Sequence, residues 1–105
     1  MSKERRDNAR QPVEWDAVLN YQQHAIICTI RDISLNGAFV ETVPDELPTR
    51  NANVELGFSV LNNGESRYLR IPGKIAYIKD NGAGVRFSDV GMEIYKDLVE
   101  VVYEA

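Results

Sequence analysis

The run Val54-Glu55-Leu56-Gly57-Phe58-Ser59-Val60 places an apolar residue at every second position. A period of two matches a strand that buries one face. A helix, at 3.6 residues per turn, would scatter these side chains around its axis. The same period holds for Val13, Trp15, Ala17 and Leu19, and again for Ile26, Cys28 and Ile30. The pattern predicts six strands: one starting at Pro12, then 25–33, 38–43, 54–60, about 67–79 and 83–87. Residues 20–24 read as a turn. Asn62-Asn63-Gly64 and Asn81-Gly82 are hairpin signals, because Asn-Gly pairs accept the positive φ angles of two-residue turns. Residues 44–53 hold two prolines and no apolar period, which reads as a loop, and Pro72-Gly73 is expected to bend the fifth strand.

The period then changes. Met92, Tyr95, Leu98, Val99 and Val102 recur at helical spacing, with Glu93, Lys96, Asp97 and Glu100 between them. One amphipathic helix over about 91–103 is predicted, with Ser88 or Asp89 as its N-cap and its stripe over an open face or mouth of the sheet. Short strands joined mostly by hairpins, followed by one helix, define an all-β chain with a C-terminal helix, closed as a six-stranded antiparallel barrel. Residues 1–11 have no apolar periodicity and are expected to form a flexible basic arm, leaving 12–105 as the barrel domain with its helix.

Length and charge exclude several classes. A chain of 105 residues is expected to form one small domain, and its longest apolar run is far short of the ~18 residues that span a bilayer. No signal-peptide core follows the polar start, so membrane insertion is not expected. Cys28 is the only cysteine, which excludes an internal disulfide, suits a reducing cytoplasm and points to a buried core thiol. His24 is the only histidine, so a structural zinc site is not expected and no metal ligands are assigned. The net charge is −4, yet Lys3, Glu4, Arg5, Arg6, Asp7 and Arg10 together carry +2, which leaves −6 on the rest. An acidic body argues against a DNA or RNA surface, whereas a local basic arm suits a small, compact anion.

Two stretches carry chemistry. Asp32-Ile33-Ser34-Leu35-Asn36-Gly37 joins two strands. Strict alternation would put Asp32 and Ser34 on one side, with Gly37 supplying a positive φ for the turn. The plainer reading is that Asp32 and Ser34 bond nearby backbone N–H groups and close a hairpin. Glu4-Arg5-Arg6-Asp7-Asn8-Ala9-Arg10 reads either as an ordinary charged terminus or as a grip for phosphate and guanine, since a guanidinium fork matches both.

Arg6-x-x-x-Arg10, then Asp32-x-Ser34-x-x-Gly37, then Gly82-Ala83-Gly84-Val85-Arg86-Phe87 before the last helix, together resemble the signature of PilZ domains. The resemblance spans nearly the whole chain. It implies a PilZ-type barrel that binds cyclic di-GMP, a bacterial second messenger, and acts as a cytoplasmic receptor with no catalysis of its own. By the family pattern, Arg6 and Arg10 hold phosphates and guanine acceptor edges, and Asp32 accepts from the guanine N1–H and amino group. Ser34 adds a hydroxyl contact, and Gly37 lets the backbone approach the base. An arginine at the place of Arg5 favours a stacked pair of ligands, so two per chain are expected. Asn36 and Tyr77 are further candidates, Tyr77 as a ring for a guanine or simply as core or rim packing. No output domain is visible in the sequence, so the implied receptor signals to a protein partner in trans.

Two rivals differ from this. An enzyme with Ser34 as nucleophile and His24 as base would need the two side by side, and a whole predicted strand separates them. A PilZ-like interaction module that binds no nucleotide is the other, although such modules usually lack the arginines or the Asp-x-Ser-x-x-Gly residues present here.

Overall fold

The computed structural model describes residues 10–62 and 64–104. Six strands run β1 Gln11–Tyr21, β2 His24–Ile33, β3 Gly37–Glu41, β4 Asn53–Asn62, β5 Glu65–Lys79 and β6 Gly82–Phe87, followed by the helix α1 Met92–Glu104. All pairings are antiparallel, and the sheet closes on itself in the order β1-β2-β3-β6-β5-β4. The expected six-stranded barrel with one C-terminal helix is the fold. No helix among the described residues is long and apolar enough to cross a membrane.

Alternation builds the core. Ala17, Leu19, Ile26, Cys28, Ile30, Val54, Leu56 and Phe58 all point inward and are buried. Trp15 stacks on Phe58, with ring centroids 5.8 Å apart. Leu98 and Val102 of α1 complete the same core, and Arg67 of β5 pairs with Asp97 of α1 at 3.1 Å. The helix sits rotated from the expected stripe. Ile94, Leu98, Val101 and Val102 face the barrel, whereas Tyr95 is exposed and Met92 is 71% exposed. Apolar residues cover so much of this helix that the sequence alone does not decide which part packs inward.

Several local expectations are corrected. β1 and β2 extend through Tyr21 and from His24, so the turn shrinks to Gln22 and Gln23, with Gln22 taking the positive φ of 56°. Neither Ser88 nor Asp89 is the N-cap: the first helical bond runs from Tyr95 N–H to Gly91 O (2.8 Å), placing Gly91 there. Gly64 has the φ of 80° expected of the first Asn-Gly turn, whereas Asn63 lies outside the described residues. The second hairpin turns at Asp80 and Asn81, and Gly82 already belongs to β6. Residues 44–53 are more ordered than a plain loop. They contain a 3-10 turn at Pro44–Glu46 and are tied to β5 through Asn51 N–H to Ile75 O (2.7 Å) and Arg50 Nε to Ala76 O (3.2 Å). Pro72-Gly73 marks where β5, already paired with β4, begins to pair with β6.

Two irregularities position everything that follows. Between Ile30 and Asp32, β2 advances two residues while β3 advances one, from Val40 to Phe39. Between Ile75 and Tyr77, β5 advances two residues while β6 advances one, from Val85 to Gly84. Each extra residue, Arg31 or Ala76, is a β-bulge that reverses the inward-outward phase. A third shift lies in β1, between Pro12 and Trp15.

Burial pushes the Cys28 thiol up to about 11, because the buried site disfavours the thiolate. The folded state therefore holds this proton more tightly than the unfolded chain, so stability is intact below about pH 9 and falls between about pH 9 and 11. The loss reaches at most about 2–3 kcal/mol by linkage. Urea melts across that window should show the fall in the wild type and a smaller one in Cys28→Ala, relative to its own stability at pH 7. Native protein should also react with a thiol reagent only under unfolding conditions.

Candidate functional site

The bulge at Arg31 decides where Asp32 points. Ile26, Cys28 and Ile30 face the core, and unbroken alternation would send Asp32 inward after them. With the phase reversed, Ile33 is buried instead and Asp32 lies on the outer wall, its side chain 32% exposed. There it meets Arg10. The guanidinium Nη1 donates to Asp32 Oδ1 at 2.6 Å, a charge-assisted bond between two of the residues singled out in the sequence.

Ser34 has a different place from the one expected. The strand ends at Ile33, and Ser34 is 2% exposed inside the β2–β3 turn. Its Oγ accepts from Asn36 N–H (3.1 Å) and Gly37 N–H (3.2 Å), and its own N–H donates to Gly37 O (2.8 Å). Asp32 and Ser34 therefore do not project side by side. The plainer reading describes Ser34 in this conformation: its hydroxyl closes the hairpin. Gly37 does not use a positive φ. A Cβ there would collide with Val85 O and stand 3.3 Å from Arg86 Cα, so glycine is required by the close approach of β6. Asn36 is exposed, and its carbonyl accepts from Phe87 N–H (2.8 Å), which pins the turn to β6.

The second bulge does for Tyr77 what the first does for Asp32. Directly paired residues form one outward row across five strands: Pro12, Asp32, Phe39, Gly84 and Tyr77. Phe39 and Tyr77 stack with centroids 6.3 Å apart and planes 20° off parallel. Gly84 lies beneath, where a Cβ would strike the Tyr77 ring. Lys79 Nζ sits 5.4 Å from the Tyr77 centroid. The result is an aromatic shelf, partly open to solvent, beside an accessible carboxylate and a guanidinium.

Of the expected site residues, Arg10, Asp32, Ser34, Asn36 and Gly37 thus gather at one end of the β2–β3 hairpin, and Tyr77 joins them through the shared row. Arg5 and Arg6 lie outside the described residues, as do all of 1–9 of the expected arm; its last two residues are placed, Gln11 in β1 and Arg10 on Asp32. Phe39 was not singled out in the sequence. Its signal was the odd spacing from Ile30 to Ile33, which marks a phase slip at Arg31 and hence a row re-aimed outward. His24 opens β2 and Ser34 lies in the turn beyond its last residue, Ile33, so nearly the whole strand, about 30 Å, separates them and they form no catalytic pair.

The PilZ domain family matches residues 4–104, and the chain belongs to that family, whose members are cyclic di-GMP receptor and adaptor domains, generally without enzymatic activity. Among solved structures, the PilZ domain of CeSA from a cellulose-synthesizing bacterium is similar at 14% identity and a TM-score of 0.73, over 91% of this chain and 96% of that one. The Bacillus subtilis inhibitor of motility, MotI/DgrA, is similar at 12% identity and a TM-score of 0.79, over 90% of this chain. This chain spans about half of that protein, 48% of its length. At these identities the likeness is one of fold. No curated protein matches the chain in sequence.

Without ligand, the two motif side chains should matter to stability in opposite proportion to their prominence. Ser34→Ala removes the buried hydroxyl that accepts from the Asn36 and Gly37 N–H groups and should cost about 1–3 kcal/mol. Asp32→Ala loses a surface ion pair and should cost less than about 1 kcal/mol. Paired urea melts check the order, and equal losses would contradict the placement of Ser34 in the turn.

Proposed function

We propose that this PilZ domain is a receptor for cyclic di-GMP that signals to a protein partner in trans. The carrying observation is the convergence of Arg10 and Asp32 at 2.6 Å beside the Phe39–Tyr77 shelf. A guanine needs a carboxylate for its N1–H and amino group, a flat apolar surface for its ring and a cation for the adjoining phosphate. All three are within one patch of outer wall. The Arg10–Asp32 pair occupies both groups in the ligand-free protein, so binding is an exchange. Arg10 passes to phosphate or to a guanine acceptor edge, and Asp32 passes to the guanine edge. Arg6 supplies a second phosphate contact, and Arg5 favours a stacked pair of ligands, two per chain. Ser34 enters chiefly by holding the turn that carries Asn36 and Gly37.

Calorimetry with cyclic di-GMP tests the reading. The wild type should saturate at two ligands per chain, while GTP and cyclic AMP bind far more weakly. Arg6→Ala, Arg10→Ala or Asp32→Ala should each weaken binding roughly 10- to 100-fold, the worth of one charge-assisted contact. Arg5→Leu should lower the endpoint toward one. A wild type that binds no cyclic di-GMP would leave the protein as an interaction module alone.

The proposed output is the ordering of residues 1–9 by ligand phosphates. Their sequence offers no apolar period to offset the entropy of ordering, about 1–2 kcal/mol per residue, so the ligand supplies the anchor. Trypsin should cut after Arg5, Arg6 or Arg10 faster than within the barrel. Saturating cyclic di-GMP should suppress those cuts, and Asp32→Ala should restore them. Equal cleavage with and without bound ligand would remove the arm from the switch.

A further inference from the structure

On the outer wall, one row along from the aromatic shelf, Lys74 of β5 and Arg86 of β6 are direct cross-strand partners, and both are exposed. Like charges placed opposite one another on a sheet destabilise it. Among the described residues no acid offsets the cost. Arg10, Arg31 and Arg67 each have a carboxylate partner, whereas Lys74 and Arg86 form no ion pair among the described residues. Glu55, diagonal to Lys74 on β4, instead accepts from Asn20 Nδ2 at 3.4 Å. This is not a shortage of acids, since the chain has 16 Asp and Glu against 12 Lys and Arg.

The surroundings leave the pair open to an incoming group. Beyond Arg86 in the same row stands Gly37, which has no side chain, and beyond Lys74 stands the neutral Asn53. Lys79, over the Tyr77 ring, adds a third cation on the β5 side, and Arg10 a fourth across the Ser34–Gly37 turn. An acidic protein thus gathers four cations, two aromatic rings and bare glycine backbone on one panel of its wall.

We propose that Lys74 and Arg86 form a phosphate-binding subsite of the nucleotide site, on the far side of the Ser34–Gly37 turn from Arg10 and Asp32. The inference rests on the cyclic dinucleotide reading and extends it to the β6–β5 half of the panel. The chemistry is that of a phosphodiester: a planar guanidinium fork and a point charge side by side, both donors only. From β2 to β5 the wall spans three interstrand spacings, about 14 Å. A ligand whose guanine edge meets Asp32 can therefore present a phosphate here, out of reach of Arg10.

The decisive variant is Lys74→Gln with Arg86→Gln, with Lys96→Gln on α1 as a control. Removing the repulsion should raise the melting temperature of the ligand-free double variant above wild type. Removing the subsite should weaken cyclic di-GMP roughly 10- to 100-fold in calorimetry, as expected for lost charge-assisted contacts. The control should change neither. Stability up with affinity down is a combination that a merely structural pair does not give. A fall in melting temperature, or an affinity within twofold of wild type, would overturn the subsite. Pyrophosphate separates this inference from the reading beneath it, because it probes the subsite alone. If the wild type binds no cyclic di-GMP, the receptor reading fails. The subsite then stands only if pyrophosphate raises the melting temperature of the wild type and not of the double variant.

Discussion

A barrel strand can place a given side chain only inside or outside, and the choice alternates from one residue to the next. The outer wall that carries the candidate site depends on breaking that rule twice at the same level. Arg31 and Ala76 are each one residue too many for the strand beside them, β3 and β6 respectively. Below the bulges the core reads in strict alternation. Above them Asp32 and Tyr77, which unbroken phase would drive into the core, stand on the outer surface in a single row with Phe39 and Gly84. A buried, unpaired carboxylate would cost several kcal/mol. The same slip that avoids this cost also builds the site. The Ala76 bulge is held from outside as well: Arg50 binds the Ala76 carbonyl, and Asn51 and Ala52 bond Ile75 on either side. The loop between β3 and β4 is therefore part of how Tyr77 is aimed.

The β2–β3 turn is the second constraint. Ser34, Asn36 and Gly37 bond among themselves through the Ser34 hydroxyl, and the turn bonds to β6 through Asn36 O. Gly37 admits β6 at a distance that no side chain would allow. The turn is thus clamped to the strand that carries Arg86, and it separates the Arg10–Asp32 pair from the Lys74–Arg86 pair. Of these two, the first is bonded internally and the second has no ion pair among the described residues. Under the proposed reading the two would play different parts: Arg10 and Asp32 would give up a bond to each other to engage a ligand, whereas Lys74 and Arg86 would lose only a repulsion.

The fold was largely legible in the sequence because period two in six segments and helical spacing in a seventh leave few architectures for 105 residues. The hairpin turns at Gly64 and Asn81 followed from the same kind of local signal, whereas the order of the strands around the barrel did not. What was missed was phase, although the spacing from Ile30 to Ile33 carried a trace of it. Asp32 and Ser34 are two apart, and simple alternation put them together; the slip at Arg31 separates them, one to the wall and one into the turn. Gly37 was expected to supply a left-handed φ, when its need comes from β6, a strand nearly fifty residues later in the chain. Such requirements belong to tertiary contacts and leave no local trace. The rotation of α1 escaped for a related reason: Ile94, Tyr95, Leu98, Val99, Val101 and Val102 offer more apolar surface than the barrel covers.

Closure of the barrel also limits how the domain can communicate. β4 pairs with β1 over only three residues and β5 meets β6 only from Gly73 onward, so strand addition is confined to the unpaired lengths of β1, β4 and β5. The core cannot carry a large rearrangement either, since its side chains fill a closed, close-packed interior. A signal must then arise on the outside, from groups whose bonding changes while the barrel stays the same. The Arg10–Asp32 bond meets that requirement. It lies at the junction between residues 1–9 and β1, and only one residue, Gln11, separates Arg10 from the first proline of the strand. Arg10 and Asp32 both lie outside the buried core, so their bond can be made or broken without disturbing a single core contact.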